Sequence, residues 1–77
     1  MTNGQKRYLG TALKKLQEAA EIIEKVRNTQ QEYYDDRSEN WQDSDKGMEC
    51  QDEIDSLDNL HMEISDCADT LSDMAEE

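Results

Sequence analysis

Three groups of side chains in this 77-residue sequence have spacings that could support chemistry. Asp58 and His61 stand in the carboxylate-x-x-His spacing by which helical bundles hold metal ions, and a dimer would bring two copies into one core. Such a site also needs inward carboxylates from the partner helices. Antiparallel pairing of the two halves of the chain sets His61 opposite the small Ala19 and Ala20 instead, so His61 is expected as a core histidine. Glu18 with Glu21, and Glu49 with Asp52, form two acid-x-x-acid pairs that could hold magnesium between helices for phosphate hydrolysis. These acids fall on the outer sides of the helices described below, and 20 acids in 77 residues make such pairs frequent by chance. Asp43-Ser44-Asp45-Lys46-Gly47 approaches a calcium loop, but its glycine comes one place too early, and alignment on Gly47 puts Gln42, Ser44 and Lys46 at ligand positions. One histidine and no glycine-rich phosphate loop leave no nucleophilic or nucleotide-binding constellation. The sequence therefore predicts no catalytic residues, no metal site and no cofactor, and a protein that is not an enzyme.

The elements that would position these groups are helices. The chain has no Pro, and its only glycines are Gly4, Gly10 and Gly47, so little obliges a helix to stop. In the first half, Leu9, Ala12, Leu16, Ala19, Ile23, Val26, Gln30 and Tyr33 follow the alternating three-four spacing of a coiled-coil seam. Leu13, Ala20 and Tyr34 widen it on one flank, and Tyr8 and Ile22 on the other. In the second half, Cys50, Ile54, Leu57, His61, Ile64, Ala68, Leu71 and Ala75 repeat the spacing, flanked by Leu60, Cys67 and Met74. The pattern predicts one helix from about residue 5 to about 35, a turn from about 36 to 44, and a second helix from about 45 to 75. Ser44 is placed to cap the second helix, and Asp45 suits its first turn. Trp41, the one large apolar residue in the turn, is expected to fold it back over both helix ends.

The expected fold class is all-α: a single antiparallel two-helix hairpin. At 34% hydrophobic residues and no Phe, its own core is thin. A homodimer, two hairpins joined as a four-helix bundle, is expected to cover Leu13, Ile22, Leu60 and Met74. Cys50 and Cys67, about 25 Å apart on one helix, cannot bridge within a chain. No apolar run approaches a membrane span, and the start of the sequence lacks a secretory signal. A cytoplasmic protein with reduced thiols is expected, with no membrane partner.

Charge separates the two halves. Of the net charge of -12, none lies in residues 1–36, where six basic side chains offset six acidic ones; residues 37–77 hold fourteen acids against Arg37 and Lys46. This distribution argues against direct nucleic-acid binding and favours a basic partner. Lys6, Arg7, Lys14 and Lys15 near one end and Asp69, Asp73, Glu76 and Glu77 near the other are expected to meet in the hairpin. Along the second helix, Asp45, Asp52, Asp66 and Asp73 share its back, with Glu49, Asp55, Glu63 and Asp69 beside them. Asp is a poorer helix former than Glu by a few tenths of a kcal/mol. A short carboxylate close to a rigid backbone is, however, the better fixed charge for a surface imitating a row of phosphates.

Gln30-Gln31-Glu32-Tyr33-Tyr34-Asp35-Asp36, then Trp41 through Glu49 (WQDSDKGME), then an acidic helix around Ile54, Leu57 and Leu60, resemble a group of short bacteriophage-encoded helical-hairpin proteins. The likeness runs from about Leu9 onward. This sequence departs from the group in having Arg37-Ser38 and no Pro in the turn. The paired acids Glu18/Glu21 and Glu49/Asp52 also resemble, more locally, the motifs of all-α nucleoside triphosphate pyrophosphatases. The resemblance to the phage group implies a hairpin fold and a phage or mobile-element origin, within a host cell. Together with the charge, it leads to the expectation of an accessory protein that binds and inhibits a basic, nucleic-acid-handling host protein, a nuclease or defence effector. The binding residues would be Glu49, Asp52, Asp55, Glu63, Asp66, Asp69 and Asp73. The competing expectation is a structural or adaptor hairpin, soluble through its acids and binding through Tyr8, Ile22, Met48 and Met62, and a third, less favoured, is a metal-dependent all-α hydrolase using Glu21 and Asp52.

Overall fold

A computed structural model describes residues 1–76 of the chain. Three helices follow in order, α1 (Asn3–Asp35), α2 (Glu39–Gln42) and α3 (Asp45–Glu76), and α1 packs along α3 to form an all-α hairpin 58 Å long and 14 Å by 12 Å across. Among the described residues, no helix is long and apolar enough to cross a membrane.

Local chemistry explains each boundary. Thr2 closes a capping box: its hydroxyl accepts from the Gln5 amide at 3.1 Å, and the Gln5 side-chain oxygen accepts from Thr2 N–H at 2.9 Å. Helix α1 consequently begins at Asn3, ahead of its first apolar position. The segment expected as a plain turn contains the single helical turn α2, whose cap is Ser38, with its hydroxyl accepting from Trp41 N–H at 3.3 Å. The Gln42 side-chain amide donates to the carbonyls of Tyr34, at 2.9 Å, and Arg37, at 3.3 Å. It thus ties α2 to the end of α1 and to the connection after it, sharing the Tyr34 carbonyl with the Arg37 N–H. Ser44 donates from its hydroxyl to the Trp41 carbonyl and lies at 3.4 Å from Gly47 N–H, joining the end of α2 to the start of α3.

Gly47 is the tightest point of the joint. A Cβ there would lie 2.2 Å from the Gln42 carbonyl oxygen and 2.4 Å from that of Trp41, both backbone atoms that cannot rotate away. Only a residue without a side chain lets α3 start against α2 at this distance. Above it, Tyr33 and Tyr34 meet the edge of Trp41 at centroid distances of 5.7 Å and 6.3 Å, and the Arg37 guanidinium lies 4.1 Å from the Tyr33 centroid. Trp41 is half-buried in this cluster, packed against the end of α1.

Below the tip, the register is fixed by polar pairs across the seam. Gln30 donates to Glu53 at 2.6 Å, Arg27 donates to Asp58 at 2.8 Å, and His61 Nε2 lies 3.8 Å from Glu24. Between them runs a narrow core in which Cys50, Ile54 and Ala68 are buried and Ile54, at 1% exposure, is, among the described residues, the only large side chain fully enclosed. Leu9, Leu13, Leu16, Ile23, Leu57, Ile64 and Leu71 are half-buried along the same seam. The hairpin exposes 5893 Å², against about 4,800 Å² for a compact monomer of its mass.

Several expectations are corrected. His61 is half-exposed and faces the acid Glu24, one helical turn from the expected position opposite Ala19 and Ala20. Helix α1 turns Arg27 and Tyr34 toward α3 where the apolar pattern favoured Val26 and Tyr33, which are exposed. Arg27 pairs with Asp58 and Tyr33 joins the aromatic cluster, so polar and aromatic contacts decide the rotation of this end. Lys6, Arg7, Lys14 and Lys15 form no ion pair with Asp69, Asp73 or Glu76, and Glu77 lies outside the described residues.

The glycines give a paired test. Gly47→Ala should lower stability by about 1–3 kcal/mol through overpacking against backbone, whereas Gly10→Ala, with open space around its Cβ, should raise it by about 0.5–1 kcal/mol. Thermal melting followed by circular dichroism checks both; equal effects would contradict the joint described here.

Candidate functional site

The residue pairs suited to catalysis do not assemble. Glu18, Glu21, Glu49 and Asp52 are all exposed. Glu21 lies nine residues along α1 from Gln30, which bonds Glu53, and Asp52 is one residue nearer the tip, so Glu21 and Asp52 stand about 15 Å apart along the hairpin axis. Asp58 and His61 line a groove of about 200 Å³ with Glu24, Arg27 and Asn28. There Asp58 is engaged by Arg27, which puts a cation where a metal would have to bind. Among the described residues, no three His, Cys, Asp or Glu side chains gather as a metal ion requires. Cys50 is buried and Cys67 exposed, and neither is in a disulfide.

The acidic residues of α3 present a different geometry. Glu49, Asp52, Asp55, Glu63, Asp66, Asp69 and Asp73 are all exposed, as is Asp45. The core positions Cys50, Ile54, Ala68 and the half-buried Leu57, His61 and Ile64 point at α1, so Asp45, Asp52, Asp66 and Asp73, offset by roughly half a turn, lie on the side turned away from it. Each seven-residue step along this ridge advances about 10 Å, and acids three or four apart bring neighbouring carboxylates within about 6 Å. Among the described residues, none of these acids lies in an ion pair; their only cross-seam relative that does is Asp58. Asp55 accepts from the Gln51 amide at 3.1 Å, a neutral contact that leaves its charge in place.

Two features of the ridge follow from the solved register. Met48 and Met62, 61% and 62% exposed, share a helix edge with Asp55 and Asp69 at seven-residue intervals. Acidic and flexible apolar side chains therefore alternate on one edge, a composition suited to a partner with a basic, apolar-dotted surface. The sequence carries this signal in the spacing 48, 55, 62, 69, although residue type alone sets Met48 and Met62 apart as a separate apolar mode of binding. The last turn of α3 also lacks any basic residue, although the helix dipole favours one there. Asp69, Asp73 and Glu76 stand at that end.

Comparison of the chain with protein-family models, with curated proteins and with solved structures finds no match to any of them.

Unpaired acids on one helix repel each other, so the ridge should oppose stability. Melting temperature should rise as sodium chloride is raised from about 10 mM to about 500 mM, where the screening length falls from about 30 Å toward a few Å. Replacing Asp52, Asp55, Asp66 and Asp69 together by Asn should raise the low-salt melting temperature by several degrees and flatten its salt dependence. A fall instead would mean that the acids support the fold.

Proposed function

We propose that this hairpin is a non-enzymatic accessory protein, of the kind a bacteriophage or mobile element encodes, that binds and inhibits a basic nucleic-acid-handling protein of its host through the ridge on α3. The observation that carries this reading is an uncompensated row of carboxylates, held on a rigid helix at the expense of helix propensity, dipole and charge repulsion. Among the described residues the row makes no ion pair within the hairpin, and its one side-chain hydrogen bond is the neutral contact from Gln51 to Asp55, so an outside binding partner is the simplest reason for it. A cleft that ordinarily accepts nucleic acid offers the matching positive field, and a nuclease or defence effector has such a cleft.

Two such hairpins form the working unit in this reading, joined into a four-helix bundle inside the host cytoplasm. The bound contacts would be Glu49, Asp52, Asp55, Glu63, Asp66, Asp69 and Asp73, with Met48 and Met62 as apolar anchors between them. The exposed methionines also favour a second reading, an adaptor hairpin bound mainly through apolar contact. The two differ in salt dependence, because charge-driven association weakens steeply with ionic strength and apolar contact does not.

The test is capture of partners from a bacterial host lysate by tagged protein, with washes at low and high salt. A nucleic-acid-binding enzyme released by salt, and lost when Asp52, Asp55, Asp66 and Asp69 are all changed to Lys, is the expected result. Capture of the same partner undiminished by those four changes would refute the ridge as the binding surface, and salt-resistant capture lost on changing Met48 and Met62 to Ser would select the adaptor.

A further inference from the structure

We infer that a second copy of this chain docks on one specific flank of the hairpin, the one bearing Val26 and Leu57, and that this pairing keeps the acidic ridges outside the dimer. The inference rests on the homodimer of the proposed function and adds to it the face by which the copies meet.

Val26 and Leu57 border a shallow groove of about 460 Å³ together with Gln30, Asp52, Glu53 and Ser56, which places Val26, Gln30, Glu53 and Leu57 on the same side of the seam. Steps of seven residues return to the same side of a helix packed at coiled-coil pitch. From Val26 they lead to Ala19, Ala12 and Tyr33; from Leu57 to Ile64 and Leu71; from Glu53 to Leu60, Cys67 and Met74. Ile22 and Tyr8 lie one position further out on α1. The exposed large apolar residues of both helices, Met48 and Met62 apart, thus converge on one flank, where Ile22 is 61% and Leu60 46% exposed. The other side of the seam is polar, carrying the Arg27–Asp58 and His61–Glu24 pairs.

Area and charge select a second copy as the occupant. The flank runs about 38 Å along the hairpin from Tyr8 to Tyr33 and spans two helices each about 10 Å across, close to the about 800 Å² that a standard interface covers on each partner. The flank can therefore supply a whole interface. Two chains of net charge -12 repel everywhere that their ridges face each other. On this flank α3 exposes Leu60, Cys67 and Met74; the acids that border its groove, Asp52 and Glu53, stand at the tip end, and Glu53 is bonded to Gln30. Ala12 and Ala19 lower the surface of α1 there, so that a facing helix can approach. In the resulting four-helix bundle the ridge beyond Asp52, with Asp66 and Asp73 on the far side of α3, stays in water, available to a partner.

The experiment is sedimentation equilibrium of the full chain at about 100 µM, with the rate of Cys67 alkylation in native protein as a second readout. The wild type should have twice the 8.9 kDa mass of one chain, and Ile22→Glu with Leu60→Glu should halve it while helical circular dichroism persists. Alkylation of Cys67 should be about tenfold or more faster in that variant than in the wild type, and Met62→Glu, off the flank, should change neither readout. A monomeric wild type would overturn the dimer and the face together. A dimer that withstands the Ile22 and Leu60 changes, or a wild-type Cys67 that reacts as fast as a free thiol, would overturn the face and leave the dimer standing. If the double variant unfolds, the protection of Cys67 in the wild type decides alone.

Discussion

The close contact of Gly47 with the carbonyls of Trp41 and Gln42 governs how the rest of the hairpin lies. It sets where α3 begins relative to the end of α1, and so which residues meet lower down. Gln30 reaches Glu53, Arg27 reaches Asp58 and Glu24 faces His61 because the tip is closed at this distance. The register in turn decides which apolar residues enter the narrow core and which remain outside. With Ile54 the only large side chain wholly enclosed among the described residues, the fold depends on the tip and its aromatic cluster more than on a deep interior.

From that register come two surfaces of opposite character on the same helix. One edge of α3 bears Leu60, Cys67 and Met74 beside the exposed apolar residues of α1; the side away from α1 bears the aspartates. Stability considerations account for the first, since a two-helix hairpin covers only part of each apolar stripe. They do not account for the second. Aspartates in helix interiors, acids at the negative end of the helix dipole and unpaired like charges at three- and four-residue spacing all act against the fold. A surface maintained against these terms is where recognition is most reasonably sought.

Much of the architecture was legible in the sequence. The three-four spacing of Cys50, Ile54, Leu57, Ile64 and Ala68 identifies the inward face of α3, and the absence of Pro leaves long helices as the natural outcome. The pattern failed at the tip end of α1, where apolar residue type favoured Val26 and Tyr33 while an ion pair and an aromatic cluster turned Arg27 and Tyr34 inward. Hydrophobic periodicity carries no record of such pairings. The single turn α2 is too short to show a period, although Ser38 is a capping residue three places before Trp41. Of the candidate site, the exposed acids were readable from spacing, while their separation from any ion pair and the alternation with Met48 and Met62 needed the register.

The most direct measurement of the central claim is a competition. Once a basic partner is in hand, its binding to a labelled oligonucleotide is titrated with the hairpin at constant salt. The account predicts mutual exclusion, with the oligonucleotide displaced completely and its apparent affinity falling in proportion to added hairpin. A stable ternary complex, in which the partner holds nucleic acid and hairpin at once without loss of affinity for either, would contradict it.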